Sequence, residues 1–67
     1  MADLPVHGLH QLHPIPTVQR RLSLGRSSVF ALIGSGELRS VKVAGRRLVP
    51  EQALIDFIEK LDSQASA

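Results

Sequence analysis

Leu24-Gly25-Arg26-Ser27-Ser28-Val29-Phe30-Ala31-Leu32-Ile33-Gly34-Ser35-Gly36 is the stretch whose reading decides the fold. Val29, Leu32 and Ile33 recur at i, i+3 and i+4, so one face of a helix over about 26–34 is apolar. Gly34-Ser35-Gly36 stops that helix, because glycine takes the positive φ of a helix end at no steric cost. With the apolar face turned inward, the opposite face is Ser27, Ala31 and Gly34, flanked by Ser28, Phe30 and Ser35. Exposed helix faces ordinarily carry long charged side chains. This one is nearly bare, and small side chains let a helix backbone come close to another surface, such as the major groove of a duplex. Arg26, Ser27 and Ser28 stand at the helix start, where free N–H groups and the dipole favour a phosphate. A plainer reading makes Ser27-Ser28 a helix cap.

Upstream, Ile15, Val18 and Leu22 follow i, i+3, i+7, and Pro16 is tolerated in a first helical turn. The spacing predicts a short helix over 15–22 with Arg20 and Arg21 off its apolar stripe. Ser23-Leu24-Gly25 separates it from the next helix, which makes the pair a helix-turn-helix candidate. Downstream, Val41 and Val43 alternate with polar residues, and Ala44-Gly45 can turn the chain into Arg46-Arg47-Leu48-Val49 as a hairpin. A two-residue turn sets Val41 opposite Leu48 and Lys42 opposite Arg47. Like charges facing each other destabilise a sheet, so positive charge there serves something other than stability. Pro50 opens a last helix over about 50–62, with Leu54, Phe57, Ile58 and Leu61 as its core stripe and Glu51 in its first turn. Residues 1–13 read as a flexible tail and 63–67 as a frayed end. The expected fold is mainly α with a small β-hairpin: a winged helix-turn-helix over 14–62, in the order helix, turn, helix, hairpin wing, helix.

Charge is unevenly spread. Of eight Lys and Arg residues, seven fall between Arg20 and Arg47, with Glu37 the only acid among them, a local net charge of +6. The rest of the chain is acidic, so the overall +2 conceals a polarised molecule. Such clustering suits a polyanion, because neutralising phosphates releases condensed counterions; a merely solvated basic face is the alternative. With 67 residues and no cysteine, one small domain without disulfides or thiolate metal sites is expected. Tyr and Trp are absent, which disfavours base stacking on aromatic platforms and thus single-strand binding. No signal peptide or membrane span is read, and a cytoplasmic, nucleoid-associated protein is expected.

The run from Leu24 to Ile33, then Ser35 to Val43, then Gly45 to Pro50, resembles the excisionase-type helix-turn-helix family. The resemblance spans roughly residues 14–61. It implies a small winged-helix fold related to the DNA-binding domains of MerR regulators, with the second helix in the major groove. Arg26, Ser27 and Ser28 match the groove-reading start of that helix, Phe30 and Ala31 lie on its exposed face, and the Gly45-Arg46-Arg47 hairpin is the wing. Three positions depart from the family pattern: Phe30 stands where Tyr is usual, Ala31 where Arg is frequent, and Ser23-Leu24-Gly25 where Gly-Val-Ser is frequent. Arg20 and Arg21 would touch flanking phosphates, and Lys42, Arg46 and Arg47 would grip the backbone or a minor groove. Arg39 belongs to either set or faces water. The family implies a partner tyrosine or serine integrase, cooperative binding and bending of attachment-site DNA, and no chemistry by the protein itself. A small transcription regulator and a protein-interaction adaptor are the rival readings.

His7, His10 and His13 repeat every three residues, but without a further ligand they do not make a closed metal site. No serine has a base at recognisable spacing, and no glycine-rich phosphate loop follows a strand, so neither an enzyme nor a cofactor is expected. The acids of the last helix (Glu51, Asp56, Glu59, Asp62) solvate its outer face, or meet a basic surface of the next copy head to tail, with Ile55, Asp56 and Glu59 as the contact.

Overall fold

The computed structural model describes residues 10–66, and it is mainly helical with a small three-stranded antiparallel sheet, compatible with a small winged-helix fold. Its elements are β1 (Leu12–Pro14), α1 (Ile15–Leu22), α2 (Arg26–Ser35), β2 (Val41–Val43), β3 (Arg46–Pro50) and α3 (Glu51–Ser66). The reading of residues 1–9 as a tail lies outside the described residues.

The two helices of the turn motif stand where apolar spacing puts them. Ile15 and Val18 are buried from α1 and Val29 from α2, with Leu22, Leu32 and Ile33 packed against them. α1 ends on Ser23 in the left-handed region (φ 57°), with the Ser23 and Leu24 N–H groups donating to the Arg20 and Gln19 carbonyls. α2 ends on Gly36 at φ 85°, whose N–H donates to the Ile33 carbonyl.

The hairpin has the expected register: Val41 pairs with Leu48, Lys42 with Arg47 and Val43 with Arg46. Ala44 and Gly45 both have positive φ, 52° and 79°, as a tight hairpin turn of the primed kind requires. A third strand was not expected. Leu12–Pro14, assigned to the tail, pairs with β3, so the sheet order is β1-β3-β2. Three residues carry no periodicity to read, and Pro14 is tolerated because β1 is an edge strand.

Leu38, in the loop before β2, is only 1% exposed, with its N–H donating to the Leu32 carbonyl, and no spacing marks it as a core residue. Two further expectations are corrected. α3 begins one residue after Pro50 and continues to Ser66, so residues 63–66 of the end read as frayed are helical. Its core stripe is also displaced: Ala53, Leu54 and Phe57 are buried, whereas Ile58 and Leu61 are exposed. The body of so small a domain ends before the last two turns of α3, so apolar residues there find nothing to pack against. The core is Ile15, Val18, Val29, Leu38, Val49, Ala53, Leu54 and Phe57.

Candidate nucleic-acid interface

α2 starts from Gly25, whose extended backbone (φ −78°, ψ 169°) makes it the N-cap without any side-chain hydrogen bond. Ser27 and Ser28 therefore do not cap the helix. Both are exposed, and neither side chain hydrogen-bonds among the described residues. Ala31, Gly34 and Ser35 are exposed as well, so the face opposite buried Val29 is open and built of small residues. The Arg26 guanidinium lies over the Phe30 ring, 4.9 Å from its centroid. This cation–π contact, one helical turn long, lays the charge along the exposed side of α2.

The basic residues of α1 divide. Arg20 is exposed and donates from Nη2 to Thr17 Oγ1 at 3.2 Å. Arg21, expected at a phosphate, instead donates from Nη1 and Nη2 to the two carboxylate oxygens of Glu51, at 2.8 and 2.9 Å. His13 Nε2 lies 2.6 Å from Glu51 Oε1, and the Glu51 N–H donates to the Gln11 carbonyl at 2.8 Å. One carboxylate thus ties β1, α1 and the start of α3 together. The hydrogen bonds from Arg21 lead in holding the Glu51 carboxyl down at about 2; His13 adds to them, and partial burial opposes them. Glu51 in turn raises the Arg21 guanidinium above its ordinary value.

On the hairpin, strand alternation sorts the cations by face. Val49 is buried, so Arg47, two residues before it, and Lys42, opposite Arg47, share the sheet face turned toward the core. Arg46 is on the other face beside Val43. The three wing residues are thus not one cluster but two sides of one hairpin. Arg47 Nη1 donates to Ser40 Oγ at 3.2 Å. Lys42 and Arg46 have no ion pair among the described residues. Arg39 reaches Asp56 at 3.5 Å, an exposed pair worth little in water. Asp56 also accepts from Gln52 Nε2 at 2.8 Å, whereas Glu59 is exposed and Ile55 half-buried.

Sequence reasoning missed the clamp of His13, Arg21 and Glu51 altogether, since its partners lie 30 and 38 residues apart and no local pattern joins them. Among the described residues no group of three or more His, Asp or Glu side chains is placed to hold a metal ion. His10 and His13 are described, while His7 lies outside the described residues. No described helix is long and apolar enough to cross a membrane.

Over 49 residues the chain is 45% identical to a Streptomyces ambofaciens protein named "Excisionase", covering 73% of this chain and 79% of that one. Over 48 residues it is 40% identical to a "Probable excisionase" of Saccharopolyspora erythraea, covering 72% of this chain and 49% of that protein. The chain thus spans about half the length of the second relative. No family model matches the chain, and no solved structure matches it.

Proposed function

The chain belongs to the excisionase family, and from that membership we propose that it is a recombination directionality factor of a phage or integrative element. In this reading it is a winged helix-turn-helix of the MerR-like kind that binds double-stranded DNA at an attachment site. It bends the duplex and favours excision by a tyrosine or serine integrase, without doing chemistry itself. The observation that carries the reading is the exposed, small-residue face of α2, with Arg26 laid along it and Ser27 and Ser28 free at its start. Small residues permit close approach to base edges, and the unpaired hydroxyls and helix N-terminus suit a phosphate.

Arg20 on α1 and Lys42, Arg46 and Arg47 on the hairpin supply contacts to the backbone on either side. These give affinity and register, whereas α2 carries what discrimination there is. Arg21 is a phosphate ligand only if it leaves Glu51, so it contributes less than its neighbours. Bending a site of 20–30 bp costs about 1–6 kcal/mol, which phosphate contacts from adjacent protomers can offset. Head-to-tail association of such protomers uses the outer side of α3, with Ile55 and Glu59 better placed than Asp56, whose oxygens already have partners in the chain.

The test is footprinting on the attachment DNA of the chain's own element, followed by recombination with the cognate integrase. Protection and a rise in excision are expected. Protection with no effect on excision would leave a transcription regulator, and no protection at low salt would leave a protein-interaction adaptor.

A further inference from the structure

Arg20 and Arg21 are neighbours in the last turn of α1, yet the fold treats them differently. Arg20 is exposed, and among the described residues its guanidinium donates only to the Thr17 hydroxyl. Arg21 donates two N–H groups to Glu51, one to each carboxylate oxygen, at 2.8 and 2.9 Å. That is the fork with which an arginine grips a phosphate. Glu51 thus offers Arg21 what a duplex backbone would offer, a pair of anionic oxygens.

The carboxylate is held in that place from several sides. The Glu51 N–H donates to the Gln11 carbonyl, and Pro50 before it pairs with Leu12 in the sheet. His13 Nε2 lies 2.6 Å from Oε1. Glu51 is also the first residue of α3, where the helix dipole favours a negative charge. Its side chain is 15% exposed and that of Arg21 38%, so water and salt screen this pair less than the open pair of Arg39 and Asp56. Exchanging Glu51 for a phosphate would leave a partly buried carboxylate with His13 as its one side-chain partner, which is costly.

We propose that Glu51 is a positioning residue that acts through Arg21, withholding it from the duplex and keeping affinity one phosphate contact below what the charge of the chain would give. The inference rests on the duplex binding proposed above and deepens it. A withheld backbone contact weakens binding to every sequence alike and leaves discrimination by α2 untouched. Glu51→Gln keeps the size of the side chain but loses its charge and one of its two acceptor oxygens. Arg21 is then free one residue from Arg20, beside a backbone contact already made.

Titration of the full chain onto a duplex of unrelated sequence, from about 50 to about 200 mM salt, tests it. Glu51→Gln should bind about tenfold more tightly than the wild type at the low end and about threefold at the high end, its log–log slope steeper by about 0.9. The gain should vanish when Arg21→Gln is added. Glu59→Gln, which removes the same charge at an exposed position of α3, should not reproduce it. In the wild type, the side-chain N–H resonances of Arg21 should keep their positions when the duplex is added while those of Arg20 move, a readout that needs no variant to fold. Arg21 resonances that move with those of Arg20 overturn the proposal. So does an unchanged slope in Glu51→Gln that circular dichroism shows to be folded, or a gain that persists without Arg21 or recurs in Glu59→Gln. A wild type that does not bind the duplex in about 50 mM salt overturns the underlying reading instead, so the two failures are separately visible.

Discussion

At the turn between α1 and α2, serine and glycine sit in each other's preferred places. Ser23 holds the left-handed conformation that closes α1, where glycine avoids a clash between Cβ and the carbonyl. Gly25 holds the N-cap of α2, where a serine hydroxyl would accept from a free N–H. A Cβ added at Gly25 meets nothing within 4 Å, so serine fits there. The double change Ser23→Gly with Gly25→Ser should stabilise the domain by about 1 kcal/mol, a rise in Tm of about 4–8 °C in a thermal melt. Glu51 is a residue of the opposite kind, already in its best setting. Its carboxyl is lowered to about 2 in the fold from an ordinary 4.5, so its stabilisation is complete above about pH 4.5 and is lost as pH falls toward 2. Glu51→Gln should cost about 1–3 kcal/mol at pH 7, the side chain being 15% exposed, and should flatten the acid limb of the stability curve. Urea melts between pH 2 and 7 check this. A variant whose stability still fell as steeply below pH 4.5 would place the acid sensitivity elsewhere.

Among the elements, α2 bears the functional reading. Ala31→Glu sets an anion on the bare face at an exposed helical position. Stability should change by less than about 0.5 kcal/mol, while duplex affinity in a mobility-shift titration should fall at least about tenfold, equivalent to about 1.4 kcal/mol. An equal loss from Gln64→Glu, which adds the same anion at an exposed position of α3, would mean that bulk charge rather than the α2 face governs binding. The outline of these elements was legible from spacing: the limits of α1, the start of α2, and the pairing of Lys42 with Arg47 all follow from local pattern. Leu38 was not, because a residue buried from a loop has no repeat to announce it. Nor was it evident which face of the hairpin is inward, the one with Lys42 and Arg47 or the one with Arg46, until buried Val49 set it.

At the scale of the whole molecule, seven cations crowded between residues 20 and 47 suggest a polyanion, but the fold determines how many are available. Arg21 is held by Glu51 and Arg39 lies against Asp56, which leaves Arg20, Arg26, Lys42, Arg46 and Arg47. The log–log dependence of duplex affinity on salt should then have a slope of roughly −4 to −5. Arg46→Ala should make it shallower by about one. A slope near zero in a filter-binding series would remove phosphate as the partner.

The sequence by itself determined the helices of the turn motif, the hairpin and its register, and the bare side of α2. Each of these is encoded in side chains no more than a few residues apart, and a period of 3.6 or 2 states which way they face. Tertiary structure alone decided that Leu12–Pro14 is a strand, that Glu51 clamps His13 and Arg21, and that the apolar stripe of α3 outruns the core. The hydrogen bonds of a three-residue strand come from its partner, an ion pair between residues 21 and 51 exists only once the chain has brought them together, and where a core ends depends on the packing of every element at once.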